Sequence, residues 1–217
     1  MSASAIIVTR GDVDLDEIVC SFPPEWEVIV WDNGAKVVMR WDTPDSQIDD
    51  VPCEDLSVYG RYAAIEHASH DLIYVQDDDV LHTSEGVQEI VRSWDAAAGD
   101  KHVVCNMPAN FRHAFYQEHA LVGFGACFHR DAPAKAFGKF ALGLGLDLEA
   151  MVQWHVDNGD WFRRTCDIVF TGLTPRVLVD VPYEDMPWAT AENRMWKQPT
   201  HIEERTLMRD LVLEIRD

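Results

Sequence analysis

Leu72-Ile73-Tyr74-Val75-Gln76-Asp77-Asp78-Asp79-Val80-Leu81 is the stretch on which the fold turns. A short apolar run ends abruptly in three carboxylates. The apolar part reads as a strand buried on both faces of a parallel sheet. The acids then fall at its carboxyl end, where open α/β sheets bind their ligands. Three adjacent carboxylates repel one another at neutral pH, and a divalent cation with a taste for oxygen, Mg²⁺ or Mn²⁺, relieves that repulsion. Side chains alternate along an extended chain, so Asp77 and Asp79 share a face and Asp78 takes the other. The competing reading of the same residues is a solvated acidic turn.

Outward from that stretch, the pattern is one of strands alternating with helices. Ala5-Ile6-Ile7-Val8-Thr9 is a first buried strand. Leu15, Ile18, Val19 and Phe22 mark one face of a helix over 14–22, which Pro23-Pro24 ends. A second strand runs from Trp26 to Trp31 into the turn Asp32-Asn33-Gly34, with a short extra strand over 35–41 and a polar loop over 42–54. Ser57 to His70 reads as a helix carrying Arg61. Thr83 or Ser84 caps the next helix, with Val87, Ile90, Val91 and Trp94 as its apolar stripe, and a strand follows over 102–107. This order predicts an α/β fold: a mostly parallel central sheet with helices on both faces.

The second half is less regular. Residues 121–129 read as a glycine-bearing strand, 147–155 as a helix, Asp157-Asn158-Gly159-Asp160 as an acidic turn, and 161–166 as the start of another helix. A strand over 176–181 and a long loop over 184–199 lead to a last helix. Thr200 and Glu203 form a Thr-x-x-Glu capping box for it, and Leu207, Leu211 and Ile215 line one face.

Composition narrows the function classes. The chain has 217 residues, 47% of them hydrophobic, enough for one sizeable core, and one domain is the expectation. Its formal net charge of -20 repels nucleic-acid backbones and anionic membranes. The five cysteines are scattered without a C-x-x-C pair, which suits reduced thiols in a cytoplasmic protein. No apolar run approaches 18 residues and no signal peptide is evident, so we expect no membrane span.

Four further constellations can carry chemistry. Thr9-Arg10 and Asp32-Asn33 end parallel strands on the same edge as the acids, where they can read a base or ribose; Arg61 can reach a phosphate or ribose. His201 and Arg205 lie four residues apart at a helix start, a natural anion site, and the imidazole can complete a metal shell. Asp157 and Asp160 offer a carboxylate as base, nucleophile or acceptor clamp.

Taken together, these stretches resemble a GT-A glycosyltransferase with an Asp-x-Asp motif, most of all its exostosin-like branch. The resemblance rests on Val30-Trp31-Asp32-Asn33, on Arg61 with Gln76-Asp77-Asp78-Asp79-Val80, on Gly125-Ala126-Cys127-Phe128-His129, and on His201-Ile202-Glu203-Glu204-Arg205-Thr206. It implies a single GT-A domain. Residues 1–107 would form the nucleotide-sugar half and 108–217 the acceptor-side half, with the C-terminal helix near the donor. It implies a nucleotide-sugar donor, UDP-like, with Mn²⁺ or Mg²⁺ held by Asp79 and helped by Asp77. It implies diphosphate contacts from His201 and Arg205, base or ribose contacts from Thr9, Arg10, Asp32 and Asn33, further donor-side groups in Arg61 and Asp78, and an acceptor side at Gly125, Ala126 and His129. Asp157 and Asp160 both match the late catalytic carboxylate. Full likeness to the exostosin branch would make transfer retaining. The acceptor is a protein, glycan or small molecule rather than bulk DNA, and an oligomer is compatible with all of this. The rival classes are a metal-dependent phosphohydrolase, a sugar-nucleotidyltransferase and a non-catalytic nucleotide-sugar binder; donor hydrolysis in the presence of metal separates the last from an enzyme.

Overall fold

The computed structural model describes residues 2–40, 51–97, 102–112, 116–192 and 194–216. It opens with β1 (Ser4–Thr9), buried along its whole length. Helix α1 (Asp16–Ser21) follows, started by an Asp14 carboxylate that accepts from the Asp16 N–H at 2.9 Å. Next come β2 (Glu27–Asp32), β3 (Val37–Arg40) and β4 (Val51–Pro52). Residues 41–50, most of the expected loop, lie outside the described residues. The helix expected over 57–70 is a chain of three short turns: a 3₁₀ turn at Ser57–Tyr59, α2 (Gly60–Ala63), and a 3₁₀ turn at Ala64–His67.

The Asp-rich segment forms β5 (Leu72–Asp77), turns at Asp78-Asp79, and continues as the two-residue β6 (Val80–Leu81). Helix α3 (Ser84–Ala96) is capped as expected, the Thr83 hydroxyl accepting from the Gly86 N–H, and it buries Val87, Ile90 and Val91. Then come β7 (Val103–Asn106), β8 (Ala126–His129), α4 (Ala132–Gly143), α5 (Leu148–Leu173), β9 (Arg176–Val179), β10 (Glu184–Asp185) and α6 (His201–Arg216).

Eight strands form one sheet in the order β4-β3-β2-β1-β5-β8-β7-β9. β1 pairs parallel with β2 and β5, and β7 parallel with β9, while β3 and β8 run against their neighbours. Six of the eight strands therefore point one way, and the sheet is mostly parallel, as the sequence predicts. Alternation splits the core in two. Ile6, Val8, Ile73 and Val75 pack under α2, α4, α5 and α6 on one face. Ala5, Ile7, Leu72 and Tyr74 pack under α1 and α3 on the other. Each fully buried Ile or Val of β5 stabilises by roughly 1.5–3 kcal/mol, so the strand's register is firmly set before its acids are reached.

Three expectations are corrected. The glycine-bearing stretch 121–129 is strand only from Ala126 onward, and it runs antiparallel to β5. Gly125 adopts φ +98°, a conformation that keeps it out of a strand, and a Cβ there would press on the Tyr74 hydroxyl at 2.8 Å. The acidic turn at 157–160 does not exist: α5 runs unbroken for 26 residues, started by the Asp147 carboxylate accepting from the Ala150 N–H at 2.9 Å. One glycine costs a helix only about 1 kcal/mol. The burial of Phe162, Cys166, Ile168 and Phe170 outweighs that. Finally, the buried residues of α6 are Arg205, Met208 and Val212; Leu211 and Ile215 of the expected stripe pack half-buried against the same core, and Leu207 alone is turned outward, 56% exposed.

Candidate functional site

The register of the parallel strands makes the site. Thr9 lies opposite Asp32, and Val8 opposite Asp77, so three strand ends finish on one edge. A cleft of about 1170 Å³ opens above that edge. Of the candidate residues, Thr9, Arg10, Asn33, Arg61, Asp77, Asp78, Asp79, Asp160, His201 and Arg205 all line it. The fold thus gathers residues from positions 9 to 205 into one place.

The three carboxylates have different surroundings. Asp77 accepts from Arg61 at 2.5 Å, and its own N–H donates to the Gly123 carbonyl. Burial raises its carboxyl, Arg61 pulls it back down, and Asp167 and Asp78 push it up again. Gly123 must be glycine here, because a Cβ would collide with the Asp77 carboxylate. Asp78 turns away into the protein: its two oxygens accept from the Thr9 hydroxyl and from Arg194, each at 2.8 Å. Asp79 is half-buried beside both. Burial first, then the charges of Asp77 and Asp78, push its carboxyl up to about 7. Asp77 and Asp79 therefore carry an electrostatic deficit that a cation relieves. Among the described residues no three His, Cys, Asp or Glu side chains converge on a metal position, so His201 does not close a shell with them. Mg²⁺ and Mn²⁺ sites that use one or two carboxylates and take their remaining oxygens from substrate phosphates need no third side chain, and the pair fits that pattern.

Arg61 departs from the sequence reading. It is 2% exposed and its guanidinium is spent on protein partners, Asp77 on one side and Asp167 of α5 at 3.0 Å on the other. Burial alone would lower its basicity, yet Asp167 and Asp77 hold it above its ordinary value. The Tyr62 hydroxyl donates to the second Asp167 oxygen at 2.6 Å. Arg61 is a brace for Asp77, not a group free for phosphate.

Arg205 is the opposite case. It is 4% exposed on the first turns of α6, it lines the cleft, and its Nε and one terminal amino group are buried without a hydrogen-bond partner. Burial lowers its basicity, and the Asp167 charge counters that. An orphaned buried guanidinium is costly unless a ligand completes it. His201, beside it, is driven down to about 4 by burial and by Arg205, so it is a neutral imidazole at pH 7. The helix start is fixed by Glu204 rather than by the Glu203 of the expected capping box. The Thr200 hydroxyl and both arms of Arg164 donate to the Glu204 carboxylate at 3.1, 2.9 and 2.9 Å, while Trp161 Nε1 holds the Glu204 carbonyl.

Other candidates are placed elsewhere or already engaged. Asp32 lies behind the cleft, its Oδ1 accepting from the Gly34 and Ala35 N–H groups. Asn33 faces the cleft, but its amide is committed to the Ser57 carbonyl, the Leu56 N–H and Trp31. Asp157 sits on an exposed shallow groove of α5, bound by Gln153, while Asp160 one turn later reaches the cleft. Gly125 and Ala126 are buried under the site. His129 pairs with Leu72, the start of β5, and so lies at the opposite edge of the sheet: a reversed strand carries its carboxyl end away from the ligand.

Two buried residues escape the sequence reading. Asp167 stands in an apolar helical run, Cys166-Asp167-Ile168-Val169-Phe170, and an acid in such a run needs a buried cation; that is the signal for it. Arg194, from the stretch read as loop, is 8% exposed and neutralises Asp78; nothing local in the sequence marks it.

No protein-family model matches the chain, and no curated protein does. Among solved structures it is similar to S. aureus TarS 1-349, with 13% identity and a TM-score of 0.47 over 86% of this chain and 60% of that one. It is also similar to the same protein in complex with UDP, at 14% identity and TM-score 0.41 over 82% of this chain and 61% of that one. For the complex with UDP-GlcNAc the values are 13%, 0.48, 99% and 66%. The chain thus spans less than two thirds of those structures' length.

Proposed function

We propose that this chain is a metal-dependent glycosyltransferase that moves a sugar from a nucleoside diphosphate donor, UDP-sugar first among them, to an acceptor hydroxyl. The observation that carries the reading is Arg205: a buried guanidinium with unmet donors, at a helix start, across one cleft from Asp77 and Asp79. A diphosphate uses both sides at once. Its oxygens would accept from Arg205 and His201, and Asp79 with Asp77 would hold a cation beside them. Bound there, Mn²⁺ or Mg²⁺ supplies neutralisation of the charge that builds on the leaving diphosphate.

The remaining work falls to the chain itself. Arg205 and the α6 start stabilise the same developing charge with donors already in place, so little reorganisation is needed. Arg61 holds the Asp77 carboxylate in one orientation, and Asp78, locked by Thr9 and Arg194, fixes the turn that presents Asp79. The nucleoside occupies the Thr9, Arg10 and Asn33 end of the cleft. Asp160 is the carboxylate of the late pair that faces the reacting sugar, placed to take the acceptor proton or to support positive charge on the sugar.

Arg205→Met, which keeps the apolar stem volume, tests the reading. Titration calorimetry with Mn²⁺ should show UDP weakened by about 1.5–3 kcal/mol, the value of a charge-assisted bond, with uridine unchanged. Equal losses for uridine and UDP would remove the diphosphate from this helix start.

A further inference from the structure

The half of the cleft away from Thr9 and Asn33 is walled by aromatic rings. Phe111, Tyr116, Phe124 and Tyr183 all line it, and each is only half-buried. Phe124 stands 5.0 Å from Phe111 and 5.0 Å from Tyr183, centroid to centroid, and Tyr116 adjoins Phe111 at 6.0 Å. The run is continuous and it ends at the acids. Phe124 follows Gly123, whose carbonyl is bonded to the Asp77 N–H. Tyr183 precedes β10, which pairs with β6, and the Met186 N–H donates to the Asp79 carbonyl.

Two features select the occupant. Among the described residues these neighbouring rings are inclined by 41°, 55° and 73°, so the three pairs make a curved trough and not the parallel slot that sandwiches a flat aromatic group. Such a trough suits a saturated ring with an apolar C–H face and a polar edge. Polar groups for that edge are close by, with Asn110 and Asp185 on the same wall. Charge beside the rings is acidic, with Asp79 and Asp185 close to Tyr183, while Arg61, Arg163, Arg164 and Arg194 of the cleft are each paired with a carboxylate; this disfavours an anionic ligand at the rings.

We infer that this aromatic trough is the acceptor subsite and that the acceptor is a neutral glycan, its pyranose C–H faces packed on Phe124 and Tyr183 with a hydroxyl directed at Asp79 and Asp160. The inference rests on the transferase reading, and it names the substrate class that reading leaves open.

The test uses the full chain without nucleotide. Saturation-transfer NMR and titration are run with cellobiose and N,N′-diacetylchitobiose as neutral probes. A sulfated heparin-type disaccharide is the anionic rival and p-nitrophenol the planar one. A neutral disaccharide should bind, and neither rival should displace it. Phe124→Ala and Tyr183→Ala should each weaken it by about tenfold, the scale of one aromatic face contact. Phe124→Tyr and Tyr183→Phe, which keep the faces, should restore it, so a loss through misfolding is recognised. UDP with Mn²⁺ is titrated into every variant in parallel and should be unaffected. Preference for p-nitrophenol or for the sulfated sugar, binding of neither neutral probe, or neutral binding that survives both alanine variants would overturn the assignment. Failure of UDP to bind the wild type counts against the donor reading alone, since the saccharide titration is read without it.

Discussion

Replacing Arg61 with methionine is the sharpest probe of how this site is held. The guanidinium is almost wholly buried and bridges two carboxylates, Asp77 and Asp167, from different parts of the chain. Breaking a buried ion pair by removing one partner costs about 3–5 kcal/mol, because the charge left behind is uncompensated. The Asp167 side chain is 10% exposed and the Asp77 side chain 38%, so the Asp167 arm bears most of the loss and water softens the Asp77 arm. We therefore expect the lower end, about 3 kcal/mol, or a fall in Tm of about 6–12 °C for a chain of this size. The pH dependence has a definite sign. Asp77 already lies above its ordinary value through burial, with Arg61 opposing. Without Arg61 it rises further, the folded state binds its proton more tightly than the unfolded chain, and the deficit should shrink as pH falls. Thermal and urea unfolding at pH 7.5 and pH 5 should thus give a larger deficit at pH 7.5. The double variant Arg61→Met/Asp167→Asn should recover part of it, since it leaves one fewer unpaired charge. A loss below about 1 kcal/mol, or a deficit equal at both pH values, would show that Arg61 is not the brace described.

Two further outcomes bear on the chemistry. Asp160→Ala should lower sugar transfer or donor hydrolysis by about 10²-fold or more while UDP binding persists, whereas Asp157→Ala, on its outer groove, should leave turnover unchanged; the reverse pattern in a coupled diphosphate-release assay would move the catalytic carboxylate. Because Asp79 titrates at about 7, its proton competes with the metal. Mn²⁺ affinity measured with UDP should fall by about tenfold per pH unit below 7 and flatten above it, and a level profile from pH 6 to 8 would take Asp79 out of the metal site.

The parallel half of the sheet was legible because its signals are local. Periodicity placed strands over 5–9 and 26–31 and a third from Leu72, within a residue of β1, β2 and β5, and parallel pairing then carried Thr9, Asn33 and Asp77 to one edge. The α6 start at His201 was legible from Thr200, but the contacts that fix it, Glu204 with Thr200 and with Arg164 forty residues earlier, are not those of the expected capping box. What failed depends on long-range pairing. The direction of β8 is set by its partners, not by its own residues, and it decides that His129 lies away from the site. The break expected at Asn158-Gly159 is overruled by packing of α5 on α6 and the sheet, which no window of that length contains. The brace of Arg61 with Asp167 and the lock of Arg194 on Asp78 span 106 and 116 residues, so the residues that make them look ordinary in isolation.

The reversed strand β8 has a consequence for how this molecule can change. Since β7 arrives at the ligand edge and β8 departs from it, the whole connection 107–125 starts and finishes there, pinned where the Asn106 N–H meets the Gly125 carbonyl and the Asp77 N–H meets the Gly123 carbonyl. That connection supplies Phe111, Tyr116 and Phe124 but none of the strand ends that present Thr9, Asn33 and Asp77. It can therefore be lengthened, or its rings rewritten, within one connection, while the strand ends that present Thr9, Asn33 and Asp77 belong to other segments and stay as they are.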